Sequence, residues 1–167
     1  GTSIVVPDTS VALTALGTAA RARLPERIVG ITGSVGKTST KDLTAAALGR
    51  RWRVSASRKS FNNELGVPLT LLEAPDDAEA VVVEMGARGI GHIARLCGVG
   101  RPTIGVVTVV AGAHLQLFGT LDDVARGKAE LVESLPPSGT AVLNADDPRV
   151  AAMAARTDAT VLMFGRG

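Results

Sequence analysis

Short apolar runs alternate with stretches of helical periodicity along most of the chain. The runs consist mainly of Val, Ile and Ala without polar alternation, which is typical of strands buried on both faces of a parallel sheet. The clearest helical stretch covers 121–135 and ends at Pro136 and Pro137. Strands are predicted at 28–32, 52–56, 80–85, 104–110, 140–143 and 160–164, and helices at 37–50, 65–72, 90–97, 121–135 and 148–155. This alternation predicts a doubly wound α/β fold, in which helices cover both faces of a mostly parallel sheet.

The first 27 residues follow a weaker pattern. The segment 3–7 is predicted as an additional edge strand and 10–23 as an Ala-rich helix, and 1–27 as a whole is interpreted as the remnant of a linker. Residues 28–167 are predicted to form one domain, since this length suits a single hydrophobic core. The chain stops directly after its last predicted strand, so we expect it to be a piece of a longer protein.

Composition excludes several classes of protein. Apolar residues make up 46% and charged residues 20%, which is a globular balance and not a disordered one. The net charge of +2 is too small to favour nucleic acid, and an aromatic content of 2% excludes a stacking platform for single strands. No apolar run approaches the ~20 residues that span a bilayer. Because the single Cys97 cannot form an internal disulfide, we expect a reducing compartment and a cytoplasmic protein.

A glycine-rich segment joins the strand predicted at 28–32 to the helix predicted at 37–50. In this arrangement, backbone N–H groups and the helix N-terminus can bind phosphate. Lys37 is expected to reach the β- and γ-phosphates of a nucleotide, and the Thr38 hydroxyl to bind Mg²⁺. Ile31 stands where the standard phosphate-loop pattern has its first glycine, so the alternative is a glycine-rich turn without a ligand. The predicted nucleotide-binding residues of this segment are Gly33, Ser34, Val35, Gly36, Lys37, Thr38 and Ser39.

Two further polar residues follow buried strands at the same edge of the predicted sheet. Glu84 ends the third strand, and His114 lies just beyond the fourth. The carboxyl ends of parallel strands meet at one edge, so Lys37, Glu84 and His114 are expected to lie together. Glu84 is predicted to bind Mg²⁺, and a neutral imidazole at His114 can bind a divalent cation. The alternatives are a Glu84 carboxylate that is solvated or paired with Arg88, and a His114 that is only a polar surface residue.

Other polar residues permit either a structural or a binding role. Residues 62–64 precede a predicted helix, where Asn and Glu form turns and caps as readily as binding sites. Asn144 follows the fifth strand at the same sheet edge, where it can contact a nucleotide or cap the next helix. Lys128 lies on a predicted helix, where a single lysine is normally solvated. His92 is interpreted as structural or exposed.

Six strings of the sequence together resemble the central ATP-binding domain of the Mur ligases. The strings are ITGSVGKTSTKDL (31–43), SFNNELGVPLTLL (60–72), VVVEMGARGIGHIA (81–94), AHLQLFG (113–119), ARGKAELVESLP (125–136) and LNADDPRV (143–150). They stand in family order with family spacing and cover nearly the whole chain after residue 28. FNNE with EMGARG is most similar to the MurF-type members, which add D-alanyl-D-alanine to UDP-N-acetylmuramoyl-tripeptide. The resemblance implies a P-loop NTPase-like version of the α/β fold.

The resemblance implies an ATP-dependent acid–amino acid ligase. The substrate carboxylate attacks the γ-phosphate to form an acyl phosphate, and the amine of D-Ala-D-Ala then displaces phosphate through a tetrahedral intermediate. By carry-over, Lys37 and Thr38 hold ATP and a first Mg²⁺, while Glu84 and His114 serve a second Mg²⁺. Lys128 matches the lysine that becomes carbamylated in this family, which turns a cation into an anion beside the metal. Lys37, His114 and Lys128 are therefore the expected catalytic residues.

The resemblance also has consequences outside these residues. It implies that Asn63 lies in the segment facing nucleotide phosphate or substrate, and that Asn144 contacts the adenine. Two positions depart from the family pattern, since Val109 stands where Asn is usual and Gln116 where an acid is usual. Family members carry an N-terminal domain for the UDP-sugar and a C-terminal domain for the incoming amino acid, and neither fits within 167 residues. A monomer is expected.

Two other functions are consistent with the same residues. A related ligase with another acceptor, such as a folylpolyglutamate synthase, shares the phosphate loop, although FNNE argues against it. A nucleotide-binding module without ligase activity is consistent with the expected missing domains and with the departures at Val109 and Gln116. In isolation, the chain is expected to bind ATP weakly and not to ligate.

Overall fold

The computed structural model describes residues 3–58, 61–112 and 118–166. Their strands are β1 (Ile28–Thr32), β2 (Val54–Ala56), β3 (Ala80–Glu84), β4 (Ile104–Val107), β5 (Thr140–Asn144) and β6 (Thr160–Phe164). All pair in parallel in one six-stranded sheet, in the order β2-β3-β1-β4-β5-β6. The chain order reverses at β1, which lies between β3 and β4, and this is the point at which open α/β sheets bind ligands.

The described helices are α1 (Thr9–Arg21), α2 (Lys37–Leu48), α3 (Gly66–Glu73), α4 (His92–Gly100), α5 (Leu121–Glu133) and α6 (Pro148–Ala151), followed by a 3₁₀ segment (Ala152–Arg156). Side-chain oxygens of Asp8, Thr120 and Asp147 accept the first N–H groups of α1, α5 and α6, as N-caps do. None of the described helices is long and apolar enough to cross a membrane. The predicted α/β fold is confirmed, with a fully parallel sheet among the described residues.

The two faces of the sheet are covered unequally. The larger core packs α1, α3, α4 and α5 against one face, whereas α2 covers the other face through Ala45 and Leu48. The sheet residues under α2 are Val29, Ile31, Val82 and Val106. On the strand farthest from α2, Leu162 and Phe164 remain 54% and 42% exposed. Helices therefore lie on both faces, but β5 and β6 are open to one side within the described part of the chain.

Three strand predictions differ from the structure by two residues or more. The edge strand expected at 3–7 is wrong: these residues form no strand, and Ile4 and Val5 are exposed without a neighbouring ladder. The strand expected at 52–56 begins only at Val54, because its partner β3 begins opposite that residue, at Ala80. The strand expected at 104–110 ends at Val107, since the next residues turn to pair with the glycine-rich loop after β1.

Helix α1 is packed into the larger core. Ala20 and Leu24 are buried there, and the Arg23 guanidinium donates to the Ala74 carbonyl at 3.1 Å. The backbone of α1 comes so close to α3 that a Cβ placed on Gly17 would lie 2.6 Å from Pro68 Cβ. The helical part of the segment interpreted as a linker remnant thus contributes to the domain's packing.

The α1–α3 contact yields a stability prediction. Replacing Gly17 with Ala in an exposed helix would stabilise it by ~1 kcal/mol. At this contact the added methyl overlaps Pro68, so we expect Gly17→Ala to lower the free energy of unfolding by ~1–3 kcal/mol, measured by urea denaturation. Val11→Ala, on the exposed side of the same helix, is the control and should change it by less than ~0.5 kcal/mol. A stabilised Gly17→Ala protein would contradict the packing of α1.

Candidate functional site

The loop between β1 and α2 is shaped for an anion. Gly33 and Gly36 have φ angles of +149° and +84°, which residues other than glycine rarely adopt. Helix α2 begins at Lys37 without a side-chain cap and without an acidic residue in its first turn. The partial positive charge of this helix end is therefore not compensated by the helix itself, as in phosphate-binding loops.

This loop is bonded to the segment that follows β4. The Ser34 N–H donates to the Val109 carbonyl at 2.8 Å, and the Ser34 hydroxyl donates to the Ala111 carbonyl and accepts its N–H, both at 2.9 Å. A Cβ on Gly33 would lie 1.8 Å from Thr108 Oγ1, so only glycine permits this approach. The nucleotide contact of Ser34 stays a prediction, and what the structure shows is that Ser34 joins the two loops.

The Lys37 ammonium folds back over the loop. Nζ donates to the Gly33 carbonyl at 2.9 Å and to the Ser34 carbonyl at 3.3 Å. Burial lowers the pKa of Lys37, and the nearby charge of Glu84 acts in the opposite direction. Carbonyl groups are weaker partners for a cation than phosphate oxygens, so this lysine can exchange them for an anion.

Glu84, at the end of β3, is 1% exposed, and both of its carboxylate oxygens accept hydrogen bonds. Oε2 accepts the Thr38 hydroxyl at 2.8 Å, and Oε1 accepts the Asn62 amide at 2.7 Å. The backbone N–H of Glu84 donates to Ser57 Oγ at 3.1 Å. The carboxylate is thus neither solvated nor paired with Arg88, which were the two alternatives left by the sequence. It lies beside Thr38, as the magnesium prediction requires.

Lys128, on α5, is the least expected member of the site. The residue is 4% exposed and makes no hydrogen bond or ion pair within the described ranges of the chain. Burial, and then the charge of Lys37, lower the pKa of Lys128 to about 8. A buried amine without a counter-charge is costly for the fold, and such groups are enriched at functional sites.

A pocket of about 200 Å³ brings Lys37 and Lys128 together at the carboxyl edge of the sheet, with the Glu84 partner Asn62 in its lining. Its lining residues are Gly33, Lys37, Asn62, Asn63, Glu64, Gly86, Ala87, Arg88, His92 and Lys128. His92, interpreted from sequence as structural or exposed, is thus a member that the sequence analysis missed. Its Nδ1 accepts the Arg88 N–H at 3.3 Å and lies 3.7 Å from Glu64 Oε1. No local signal distinguishes this histidine from a surface one, because the pocket forms only in the folded chain.

A second, apolar cleft of about 640 Å³ lies on the α2 face beside the same loop. Val35 and Gly36 line one end and Asn144 and Phe164 the other, with Val109 between them. The Asn144 amide donates to the Thr108 carbonyl at 2.8 Å, and its oxygen accepts the Asp146 N–H at 2.9 Å. Asn144 therefore has a structural role in this structure, at the position where a nucleotide contact was predicted. The apolar Val109 fits the apolar lining of this cleft.

The structure places the remaining predicted residues in different surroundings. Asn63 lines the pocket, and its Oδ1 accepts the N–H groups of Leu65 and Gly66 ahead of α3, so it acts as a helix cap as well. Ser39 lies on the exposed first turn of α2. His114 and Gln116 lie outside the described residues. The second metal site therefore stays a prediction.

The oxygen pair at Thr38 and Glu84 fits a magnesium ion. Mg²⁺ prefers hard oxygen ligands and is usually held by one or two protein side chains together with phosphates and water. Among the described residues, no group of three or more His, Cys, Asp or Glu side chains could hold a metal by itself. A metal at this pair would need further oxygen ligands, such as those of a bound nucleotide.

Comparison with known proteins gives the family. The model of the Mur ligase middle domain matches residues 31–167. The chain belongs to the Mur ligase family. A UDP-N-acetylmuramoyl-tripeptide–D-alanyl-D-alanine ligase of Mycobacterium tuberculosis is 51% identical over 158 residues, which are 93% of this chain and 31% of that protein. This Mur ligase chain thus spans about a third of the length of the curated relatives it matches.

Solved structures of the family have the same fold. MurF from Acinetobacter baumannii superposes with a TM-score of 0.91 at 32% identity, over 98% of this chain and 37% of that one. MurF from Thermotoga maritima, solved in complex with ADP, gives 0.89 at 32% identity, over 98% of this chain and 38% of that one. The fold class predicted from the sequence and its resemblance to the Mur ligases are both confirmed.

The shifted pKa of Lys128 predicts a pH-dependent cost to the Mur ligase fold. Below pH 8 the lysine is charged in both the folded and the unfolded chain, so the cost of burying the cation is constant. Between pH 8 and its ordinary value of 10.5, only the unfolded chain holds the proton, and the cost falls as the pH rises. We expect Lys128→Met to raise Tm at pH 7 by about 4–8 °C in CO₂-free buffer, measured by calorimetry.

The gain from Lys128→Met should shrink steadily between pH 8 and pH 10.5. Arg50→Met, which removes an exposed cation, is the control and should show no such trend. A gain that stays constant up to pH 10.5 would show that Lys128 is not a buried cation at neutral pH.

Proposed function

We propose that this chain is the nucleotide-binding domain of an ATP-dependent ligase that joins D-Ala-D-Ala to UDP-N-acetylmuramoyl-tripeptide in peptidoglycan synthesis. The observation that carries the proposal is the contact of Thr38 with Glu84, directly beside Lys37 and the loop after β1. The 51% identity to a ligase of that specificity supports the choice of substrates. The part of such a protein outside this chain would hold the UDP-sugar and the incoming dipeptide, with residues 28–167 as the central domain and 1–27 leading into it.

The nucleotide would bind along the carboxyl edge of the sheet. The phosphates would contact the N–H groups at the start of α2 and the Lys37 ammonium, which would exchange its two carbonyl partners for phosphate oxygens. The adenine would enter the apolar cleft, where Asn144 offers an amide. The T. maritima MurF structure, solved with ADP, supports a nucleotide in this fold.

Because Thr38 and Glu84 are in contact, they would share the magnesium ion that accompanies the nucleotide, whereas the family resemblance assigns Glu84, with His114, to a second ion. The Thr38 hydroxyl donates a hydrogen bond to Glu84 Oε2, which leaves the lone pairs of the hydroxyl oxygen free for a cation. When bound, Mg²⁺ neutralises charge on the β- and γ-phosphates during phosphoryl transfer. The Glu84 carboxyl group, 1% exposed, lies directly beside this position.

Lys128 would act as a carbamate. Its neutral amine attacks the carbon of CO₂, an N–C bond forms, one C=O electron pair moves to oxygen, and nitrogen loses a proton to water. The product is an anion in a pocket that also contains Lys37, so the buried site gains the counter-charge that the free lysine lacks. A carbamate oxygen also suits a hard cation, as the family resemblance requires.

A ligation assay with the complete protein that carries this chain tests the proposed activity. We expect a new amide product and release of phosphate only when ATP, Mg²⁺, UDP-N-acetylmuramoyl-tripeptide and D-Ala-D-Ala are all present. Lys37→Ala is the control: it removes the ammonium above the loop and should reduce phosphate release at least ~100-fold, as loss of a buried charge contact does.

Other acceptors in the same ligation assay separate the alternatives. Product formed from a folate and glutamate, but not from the sugar tripeptide, would favour a folylpolyglutamate-type ligase. Binding of Mg-ATP without any ligation would favour a nucleotide-binding module. Either result would contradict the proposed substrates.

Carbamylation of Lys128 is tested by ¹³C NMR with labelled CO₂. The neutral fraction of Lys128 rises from about 1% at pH 6 to about half at pH 8, so at constant dissolved CO₂ the carbamate signal should grow over this range. Lys128→Met should abolish the signal. A resonance that persists in Lys128→Met, or no resonance at pH 8, would exclude the carbamate.

A further inference from the structure

The pocket contains an amide whose only charged partner among the described residues is the Glu84 carboxylate. Asn62 Nδ2 donates to Glu84 Oε1 at 2.7 Å, across 22 residues of sequence. We infer that Asn62 is a positioning residue, which fixes the Glu84 carboxylate so that its other oxygen, Oε2, faces Thr38 and the metal of the bound nucleotide. The inference rests on the proposed function, because it assigns Asn62 a task at the proposed magnesium site.

Two donors from different parts of the chain fix the orientation of this carboxylate. Thr38, on α2, holds Oε2 at 2.8 Å, and Asn62, ahead of α3, holds Oε1 at 2.7 Å. A carboxylate bonded at only one oxygen can rotate about its last bond, since that torsion is broad. If the Thr38 hydroxyl turns toward a cation, the hydrogen bond from Asn62 still restrains the Glu84 carboxylate. The effect of Asn62 on the orientation of the Glu84 carboxylate would therefore be largest when the metal is bound.

Asn62 is itself held in place from the other side. Its backbone carbonyl accepts the Gly86 N–H at 2.7 Å. A Cβ on Gly86 would lie 2.8 Å from Asn62 Oδ1 and 2.9 Å from Asn62 Cγ. The absence of a side chain at Gly86, two residues after Glu84, lets Asn62 approach the carboxylate it holds. The amide nitrogen must face Glu84, because an ionised carboxylate only accepts hydrogen bonds.

This arrangement differs from the cap formed by the next residue. Asn63 Oδ1 accepts the N–H groups of Leu65 and Gly66, which is a local contact ahead of α3. Asn62 makes no such local bond from its side chain among the described residues, and its amide is directed across the pocket. Of the two adjacent asparagines, Asn63 therefore caps the helix, whereas Asn62 contacts the carboxylate of the site.

The test measures how strongly Mg²⁺ tightens nucleotide binding. The complete protein is titrated with a non-hydrolysable ATP analogue in EDTA and in Mg²⁺, and the ratio of the two Kd values is the readout. For Asn62→Ala we expect this ratio to fall about tenfold while the Kd in EDTA is unchanged, since a hydrogen bond to a charged group is lost only from the metal site. Asn62→Leu, of similar size but without the donor, should lower the ratio to the same extent.

Glu84→Gln provides the second arm. If Asn62 acts through Glu84, Asn62→Ala should produce no further tenfold fall in a Glu84→Gln background, because the two changes remove the same interaction. Asp8→Ala is the matched control: it removes the cap of α1, destabilises the fold by ~1 kcal/mol and should leave the ratio unchanged. An unchanged Kd in EDTA shows for each variant that the phosphate loop is folded.

Three results would overturn the inference. The first is an unchanged ratio in Asn62→Ala, and the second is an equal loss of affinity with and without Mg²⁺, which indicates a purely structural role or a direct nucleotide contact. The third is a full tenfold effect of Asn62→Ala in the Glu84→Gln background. Failure of the unaltered protein to bind the analogue in either buffer would instead contradict the proposed function.

Discussion

The site depends on the burial of one carboxylate. Glu84 is 1% exposed, and a buried carboxylate remains charged only when its oxygens receive hydrogen bonds. The donors are Thr38 at the start of α2 and Asn62 ahead of α3, while Ser57, just after β2, receives the backbone N–H. The β1–α2 and β2–α3 connections, which are distant in sequence, therefore converge on the end of β3. The hydrogen bonds to Glu84 hold these connections around the pocket, and each connection supplies part of the lining.

The loop after β1 is held from the opposite side by a second set of bonds. Ser34 joins it to Val109 and Ala111, and Asp147 Oδ2 in turn accepts the Val110 N–H at 2.6 Å. The carboxyl ends of β1, β4 and β5 thus form one continuous hydrogen-bonded edge. A phosphate that displaced Lys37 from the loop carbonyls would enter a frame whose backbone is already fixed. Such preorganisation favours electrostatic stabilisation, because little has to reorganise when charge develops.

The sequence predicted those features that depend on local pattern. All six described strands overlap predicted apolar runs, and β1 and β3 are buried at every residue, where a strand needs no alternating polar positions. The glycine spacing located the loop, and the parallel topology placed Glu84 beside it. The failures come from tertiary packing: Ile4 and Val5 are apolar, but no strand edge is available to them. Lys128 resembled a solvated helical lysine, and only the family resemblance singled it out, since its burial depends on elements far away in sequence.

Charge explains why these residues form a site for anions and not simply a stable turn. Lys37 and Lys128 line one pocket, and each amine has a lowered pKa because burial weakens its hydration. The neighbouring Glu84 acts on Lys37, but a single carboxylate carries one negative charge and cannot neutralise two ammonium groups. The pocket therefore retains unbalanced positive charge at a cost to folding. A polyphosphate that binds there would supply the missing negative charge. Its binding would stabilise the folded state and offset the free-energy cost of burying the two lysines.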